Sequence, residues 1–192
     1  MKRNKLTRII AGFVVFLTLC IVSYVIYDRG RPIPIPTEQN LYEGVTYHRT
    51  VRFIPHPLIA HILKIDTKAK GVELLITPPD SDREPPLNAR TTSQFLNEFN
   101  LQMAINGDGF VPWWSHSPAD YYPHSGDPVT PFGFTASNGE VYSVGTELSV
   151  GVRPTLYISR RNAISFNNPP GNIYNAISGD RMIVLKGELV PD

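Results

Sequence analysis

The chain has 192 residues, of which 42% are hydrophobic and 18% charged, an ordinary composition for one globular domain. From Pro32 onward, 12 basic residues stand against 16 acidic ones, which excludes the electrostatic footprint of a nucleic-acid binder. The only cysteine, Cys20, lies in an N-terminal apolar run, which excludes a disulfide, a cysteine nucleophile and a thiolate metal site from the rest of the chain.

The apolar run extends from Ile9 to Tyr27 without a charge, close to the roughly 20 residues with which a helix crosses about 30 Å of hydrocarbon. Four basic residues precede the run and two follow it, which favours a cytoplasmic N-terminus and a translocated remainder. A cleaved signal is the alternative, but the run ends in SYVIYDRGRP, without the small residues of a cleavage site. We therefore predict a cytoplasmic basic segment over residues 1–8, an uncleaved signal anchor over residues 9–27 and a soluble part outside the cytoplasm.

A proline-rich linker is predicted over residues 28–43. Proline and isoleucine alternate in its middle (RPIPIPTEQ, residues 31–39), which is typical of an extended polyproline-like spacer. The domain is expected over residues 44–192. Its first strands are predicted at residues 45–54, 58–67 and 72–77, because β-branched and aromatic side chains are enriched there, and together they indicate a meander.

The rest of the domain alternates one helix with short strands. Residues 91–99 place apolar side chains on one helical face behind a threonine that can cap it. A buried strand is predicted at residues 101–106 and a long loop at residues 108–131. Further strands, separated by turns such as Asn138–Gly139, are predicted at residues 132–136, 140–144, 154–159, 163–166 and 182–185. The expected fold class is α+β, mostly antiparallel sheet with few short helices, preceded by one transmembrane helix.

Chemistry is concentrated in residues 104–131, where aromatic and titratable side chains occur together. Flat rings beside polar groups are what a sugar pocket needs, because sugar C–H faces stack on such rings. The rings are Trp113, Trp114, Tyr121 and Tyr122. A small cluster buried under the loop is the alternative for these rings, and a tight turn is the alternative for Asn106–Gly107.

A divalent metal is a minor alternative for the same stretch. His116 and His124, with nearby aspartates, could ligate one, but their spacing is not a recognised ligand pattern. G-x-S-x-G, H-E-x-x-H and glycine-rich phosphate motifs do not occur in the sequence. We predict no cofactor.

Several blocks of the sequence, in order, resemble the phosphodiester glycosidase family, the group that includes the lysosomal uncovering enzyme, and are most similar to its cyanobacterial members. The blocks are ARTTSQFLNEFNLQMAINGD (residues 89–108), PWWSHSPADYYPHSGDP (112–128), GFTASNGEVYS (133–143), PTLYIS (154–159) and IYNAISGDRMIV (173–184).

The resemblance implies an extracytoplasmic hydrolase that cleaves the bond between a sugar anomeric carbon and a phosphodiester, with a phosphoglycan as substrate. It implies that Asn106, Gly107 and Asp108 lie at the cavity, although Gly109 stands where the family usually has an aromatic residue. For the acidic group that protonates the leaving oxygen, Asp108 is the first candidate and Asp127 and His124 are the next. Asn106, Gly107 and the four rings are the expected substrate-binding residues.

Two further family blocks, one Arg-Thr-Ala-Ile-Gly-like and one Asp-Gly-Gly-Gly-Ser-like, have no counterpart before Asp192. An incomplete domain is therefore expected over residues 44–192. The alternative function is a non-catalytic glycan-binding remnant.

Overall fold

The computed structural model describes residues 3–82, 84–145 and 153–191, with side chains from Arg8 onward. Residues 1 and 2 of the predicted basic segment lie outside the described residues. So do residues 83, 146–152 and 192 of the predicted domain. The fold class is confirmed: the described residues form two helices, one of them apolar and N-terminal, and about 35% strand in antiparallel sheets. The chain divides into two compact units, Met1–Ile65 and Asp66–Asp192.

Helix α1 (Arg3–Arg29) contains the predicted apolar run. Its 22 residues from Arg8 to Arg29 are long and apolar enough to cross a membrane, since they span about 33 Å as a helix. By length and composition alone, an N-terminal signal sequence meets the same test. Thr18 lies inside the run and donates its hydroxyl to the carbonyl of Val14 at 2.9 Å, so this polar group is satisfied within the helix.

The first unit also contains a three-stranded antiparallel sheet, β1 (Thr37–Tyr42), β2 (Val45–Arg52) and β3 (Leu58–Ile65), in that order. The two strands predicted at residues 45–54 and 58–67 correspond to β2 and β3. Strand β1 instead comes from residues predicted to be linker. Its polar sequence TEQNLY has little intrinsic strand preference, so its pairing with β2, and not propensity, makes it a strand.

The strand predicted at residues 72–77 does not form. Side chains, and not a neighbouring strand, satisfy the carbonyls of this segment. Four side chains donate to these carbonyls over 2.6–2.8 Å: Asn162 to Val72, Asn175 to Leu74, Ser137 to Ile76 and Tyr142 to Thr77. The apolar pattern therefore belongs to an extended, partly buried segment that pairs with no strand in the described part of the chain.

Helix α2 (Thr92–Glu98) confirms the predicted helix and its cap. The Thr91 hydroxyl accepts from the backbone N–H of Gln94 at 3.2 Å, and the Gln94 side chain accepts from the backbone N–H of Thr91 at 2.8 Å. This reciprocal capping box satisfies two free donors at the helix start. The buried strand predicted at residues 101–106 is wrong, because Leu101 closes the helix onto the Leu96 carbonyl and Ile105 is exposed.

The segment predicted as a loop, residues 108–131, consists largely of short strands. Strands β4 (Leu87–Asn88), β5 (Phe110–Val111) and β8 (Pro128–Pro131) form one sheet in the order β4-β8-β5. Strands β6 (Trp114–Ser117) and β7 (Asp120–Tyr122) form a separate hairpin. Prolines between and within these strands remove backbone donors and keep each strand to four residues or fewer.

The second unit is built around a five-stranded antiparallel sheet in the order β10-β9-β13-β11-β12. The strands are β9 (Phe134–Ser137), β10 (Glu140–Val144), β11 (Thr155–Ile158), β12 (Ile164–Phe166) and β13 (Asn175–Ser178). Four of them fall on predicted strands, and β9 turns into β10 at Asn138–Gly139, where both residues have the positive φ of a hairpin turn. The central strand β13 was not predicted. A two-residue pair, β14 (Val184–Leu185) and β15 (Glu188–Leu189), ends the described chain.

The interior of this sheet is small and partly polar. Ala136 and Ala176 are fully buried and face each other across β9 and β13. Their polar neighbours Ser137 and Asn175 are equally buried, and both donate to carbonyls of the 72–77 segment. Because these polar groups are all bonded, their burial fixes the extended segment on the sheet without leaving an unsatisfied group.

Candidate active site

A tight loop carries Asp108, the first catalytic candidate. Gly107 and Gly109 flank it. A Cβ atom at Gly107 would lie 2.6 Å from Cδ1 of Ile177 in β13, and one at Gly109 would lie 2.6 Å from the ring of Phe132. No side chain fits at either position unless these neighbours move, so the glycines allow the backbone around Asp108 to approach the sheet.

The Asp108 carboxylate is buried and ion-paired. Its side chain is 4% exposed. Its Oδ1 atom accepts a hydrogen bond from Nη2 of Arg153 and another, at 2.7 Å, from the backbone N–H of Gly109. Its Oδ2 atom and Nε of Arg153 are also buried, and neither has a hydrogen-bond partner among the described residues. Each unsatisfied buried polar atom costs about 1–3 kcal/mol, so the bonding of this pair is incomplete.

The ion pair lies in the wall of an open cleft of about 430 Å³. The cleft is lined by Gly107, Asp108, Gly109, Phe132, Arg153, Gly179 and Asp180. Nη1 of Arg153 lies 3.3 Å from Oδ1 of Asp180, whose side chain is 89% exposed. The guanidinium carbon also lies 5.7 Å from the centre of the Phe132 ring. Arg153 therefore stands between a buried and an exposed carboxylate, against an aromatic ring.

The ends of three strands position this pair. A Cβ atom at Gly133, just before β9, would lie 2.3 Å from Cβ of Ser178 at the end of β13 and 2.8 Å from Oδ2 of Asp108. The Ser178 hydroxyl lies 3.0 Å from the hydroxyl of Thr155, which begins β11 two residues after Arg153. Arg153 and Asp108, which are 45 residues apart in sequence, are thus joined at one end of the sheet.

A second arginine, Arg90, also lies between two carboxylates. It donates to both oxygens of Asp80, and it donates to Glu98 from Nε at 2.6 Å and from Nη2 at 2.9 Å. Hydrogen bonding to Arg90 lowers the pKa of the Asp80 and Glu98 carboxyl groups, and bonding to the two carboxylates raises the pKa of Arg90. A second cleft, of about 420 Å³, runs beside this network from α2 to Ser125 and Gly126.

The predicted aromatic residues lie on and next to the β6–β7 hairpin, and we call Trp113, Trp114, Tyr121 and Tyr122 the aromatic hairpin. Trp114 stacks on Tyr122 with ring centres 6.0 Å apart and planes inclined by 22°. Trp113 is 68% exposed, and Trp114 and Tyr121 are exposed as well. The alternative of a buried cluster therefore does not hold for these three rings, which leave apolar surface open to solvent.

The other predicted site residues lie elsewhere. His124 and Asp127 form the turn between β7 and β8, where Asp127 Oδ2 accepts from the backbone N–H of His124 at 2.7 Å. Asn106 is tied to helix α2, since its Oδ1 accepts from the Thr92 hydroxyl at 2.6 Å. Of the nine predicted residues, Gly107 and Asp108 line the Asp108 cleft, and the others are distributed over the helix contact, the aromatic hairpin and the following turn.

The two histidines of the metal alternative are held apart in separate pairs. His116 lies 3.3 Å from Asp120, and His124 lies 3.4 Å from Asp127. Within the described ranges, no three His, Cys, Asp or Glu side chains converge so that they could hold a metal ion.

Sequence reasoning missed the partners of Asp108. Arg153 directly precedes the predicted strand at residues 154–159, and Asp180 and Gly179 directly follow β13. A charged residue at a strand end is a weak signal on its own. It becomes informative only when the pairing of β11 with β13 brings Arg153 and Asp180 to the same sheet end.

No protein-family model, curated protein or solved structure matches this chain. The similarity to phosphodiester glycosidases therefore rests on the sequence blocks alone.

Proposed function

We propose that the protein is a membrane-anchored hydrolase of the phosphodiester glycosidase type, with the Asp108 cleft as its active site. One observation carries the proposal: a carboxylate that is 4% exposed is paired with a guanidinium in an open cleft, and each partner keeps a buried atom that has no hydrogen bond to any described residue. A buried polar atom without a hydrogen bond calls for an explanation, and a substrate that completes the bonding of this pair supplies one. The block around Asn106–Gly107–Asp108 adds the resemblance-based expectation that the same loop faces the substrate.

Arg153 is the residue suited to bind the phosphodiester. A guanidinium has five N–H donors in a planar fork that matches two phosphate oxygens. Its contact with Asp180 is 3.3 Å long and its partner is almost fully exposed, so this contact is the weaker of the two. An arriving phosphate can take the Nη1 donor from Asp180 while Asp108 continues to hold Nη2.

The two carboxyl groups of the cleft supply the acid–base chemistry in this proposal. Glycoside cleavage generally uses two carboxyl groups, one to protonate the leaving oxygen and one to activate water or attack the anomeric carbon. Asp108 accepts hydrogen bonds from Arg153 and from the Gly109 N–H, so we assign it the role of the carboxylate that activates water or attacks the anomeric carbon. The exposed Asp180 is assigned, in place of Asp108, to protonation of the leaving oxygen. Phe132 and the glycine backbone form the wall on which the sugar lies.

Residues 9–27 are the proposed anchor, with the N-terminus in the cytoplasm and the hydrolase outside it. The excess of basic residues before the run supports this orientation. Protease added to intact cells is then expected to degrade the second unit, whereas a tag placed before Arg8 stays protected.

The activity is tested with the full chain in phospholipid nanodiscs and a methyl phosphodiester of glucose 1-phosphate. We expect release of glucose by the wild type, and a loss of about 10³-fold in kcat/KM for Asp108→Asn. Asp127→Asn serves as the matched control, because that carboxylate closes a turn beside His124 and does not line the Asp108 cleft. Equal activity of Asp108→Asn and wild type would show that Asp108 has no catalytic role.

A glycan-binding module is the second candidate function, and the exposed rings of the aromatic hairpin favour it. Trp113 and Trp114 are the only tryptophans of the chain, so intrinsic fluorescence reports on this hairpin without a label. Titration with phosphoglycans is expected to shift the emission of the wild type, and the shift is expected to be lost in Trp114→Ala. Unchanged emission at saturating glycan would exclude the hairpin as the binding surface.

A further inference from the structure

The turn between β2 and β3, residues 53–57, exposes an apolar tip that the proposed hydrolase does not use. Phe53 is 58% exposed and Ile54 is 83% exposed, and Leu58 at the start of β3 is exposed too. Large apolar side chains at a loop tip are costly in water, and contiguous ones mark surfaces that contact a partner. The tip is preceded by Arg52, which is also exposed.

The register of the sheet places this tip at the end where the chain arrives from α1. Thr37, the first residue of β1, pairs with Arg49 of β2, and the two strands are antiparallel. Strand β2 therefore runs back towards the spacer and continues past Thr37 for three more residues, to Arg52. At about 3.3 Å per residue, the tip extends roughly 10 Å beyond the start of β1, alongside the spacer.

The spacer itself is shortened by contacts with β2. Arg49 donates from Nε to the carbonyl of Ile35 at 2.8 Å and from Nη2 to the Thr37 hydroxyl at 3.0 Å. Only residues 30–34 then remain between the end of α1 at Arg29 and the clamped part of the spacer. Five residues reach at most about 18 Å, and the tip projects over roughly 10 Å of that length.

We infer that Phe53 and Ile54 insert into the interface of the bilayer that holds α1, so that the small sheet stands end-on against the membrane. The inference rests on the anchoring part of the proposed function and is independent of the proposed hydrolysis. Apolar side chains that enter the boundary between headgroups and acyl chains, next to basic residues, are the general pattern of interfacial membrane contacts. Arg52 beside the tip, with Arg29 and Arg31 at the end of α1, matches an anionic lipid surface.

The test uses the full chain in vesicles of phosphatidylcholine and phosphatidylglycerol, with one environment-sensitive fluorophore per protein. The label sits on native Cys20 as the anchor control, or, in a Cys20→Ser background, on Ile54→Cys or on Glu43→Cys. Glu43 is exposed in the β1–β2 turn, at the opposite end of the same sheet, and is the matched control. Doxyl-labelled lipid then quenches only those fluorophores that lie within the bilayer or at its interface.

We expect doxyl lipid to quench the Cys20 and Ile54→Cys labels by about twofold or more and to leave the Glu43→Cys label unquenched. Adding Phe53→Asp is expected to reduce the quenching at position 54, whereas Tyr42→Asp at the opposite end leaves it unchanged.

A quenched Cys20 label with equal quenching of the labels at positions 43 and 54 would overturn the inference. An unquenched Cys20 label would instead overturn the anchoring and leave the hydrolase proposal to its own assay. A label at position 54 that is shielded from water but unquenched would show that protein covers the tip, which also overturns the inference.

Discussion

The second unit contains two arginines that each lie between two carboxylates, and their bonding differs. Arg90 and Arg153 are almost equally buried, with side chains 13% and 14% exposed. Arg90 uses Nε, Nη1 and Nη2 as donors, and both of its carboxylates are bonded. Arg153 leaves Nε without a hydrogen bond, and its buried partner Asp108 leaves Oδ2 without one among the described residues.

The difference separates a structural network from a candidate site. The bonds of Arg90 join the 80–90 loops to helix α2, and they leave no buried donor of this arginine for a ligand. Both arginines lie beside a cleft, but Arg153 has a buried Nε without a hydrogen bond to any described residue, and its exposed partner Asp180 is held by a single contact of 3.3 Å. Two arginines of equal burial and equal charge thus differ in their bonding: the donors of Arg90 are all used, whereas the Arg153 pair leaves buried atoms for a ligand to bond.

The largest effect on stability is expected where the backbone supports the Arg153 site. Gly133→Ala would place its Cβ 2.3 Å from Cβ of Ser178, so β9 and β13 must separate. We expect a loss of about 3 kcal/mol in unfolding free energy, together with loss of glucose release. Gly171→Ala is the control, because its Cβ would meet nothing within 4 Å. Denaturation followed by tryptophan fluorescence measures both, and equal stability of the two variants would show that the strand ends are not tightly packed.

Arg90→Met tests whether the hydrogen-bond network of Arg90 is structural. The variant leaves Asp80 without its guanidinium, and we expect unfolding to become easier by about 2 kcal/mol. Glucose release at 25 °C is expected to stay near the wild-type rate, since the network lies outside the Asp108 cleft. A wild-type unfolding midpoint for this variant would contradict the structural assignment.

The pH dependence of stability tests whether the Asp80 carboxylate stabilises the fold through its charge. Hydrogen bonding to Arg90 holds the folded-state pKa of Asp80 below its ordinary value, so the stabilisation is present above about pH 4 and is lost as the pH falls through the folded-state pKa. Asp80→Asn is expected to be less stable than wild type at pH 7 and to lose less stability on acidification to pH 3. Parallel pH profiles for the two proteins would mean that Asp80 does not contribute through its charge.

The smallest effect is expected for Asp180→Asn. This exposed carboxylate is held by a 3.3 Å contact, so its loss changes stability by less than about 0.5 kcal/mol. Because the variant removes the competitor for Nη1 of Arg153 and also the second carboxylate, we expect KM to fall and kcat to fall by about tenfold. Unchanged values of both constants would remove Asp180 from the proposed chemistry.

Local signals predicted the elements whose cause is local. Thr91 and Gln94 form the capping box of α2, and Asn138–Gly139 forms the turn of the β9–β10 hairpin. Strand β13 escaped prediction because its buried Asn175 and Ser178 break the apolar pattern, and their bonding partners come from distant segments. Strand β1 escaped because only its pairing with β2 makes it a strand.

In the candidate site, too, residues marked by local signals were predicted and residues that depend on distant partners were not. Asp108 stood out because the resemblance places the block Asn106–Gly107–Asp108 at the cavity, and such a block consists of adjacent residues. Arg153 and Asp180 did not, since their relation to Asp108 exists only once β9, β11 and β13 are paired. The aromatic rings were identified as a group, but the sequence carried no information on whether they line the same cleft.

A conservative pair of substitutions tests the central claim most directly: Arg153→Lys and Arg90→Lys, each measured for glucose release and for unfolding. Lysine keeps the charge but has no planar fork, so it cannot hold Asp108 through one nitrogen and offer a second nitrogen to a phosphate, as the proposal requires of Arg153. We predict that Arg153→Lys loses about 100-fold in kcat/KM with little change in unfolding, whereas Arg90→Lys retains activity and unfolds more easily. Full activity in Arg153→Lys, or a wild-type protein that releases no sugar from any sugar 1-phosphodiester, would contradict the account.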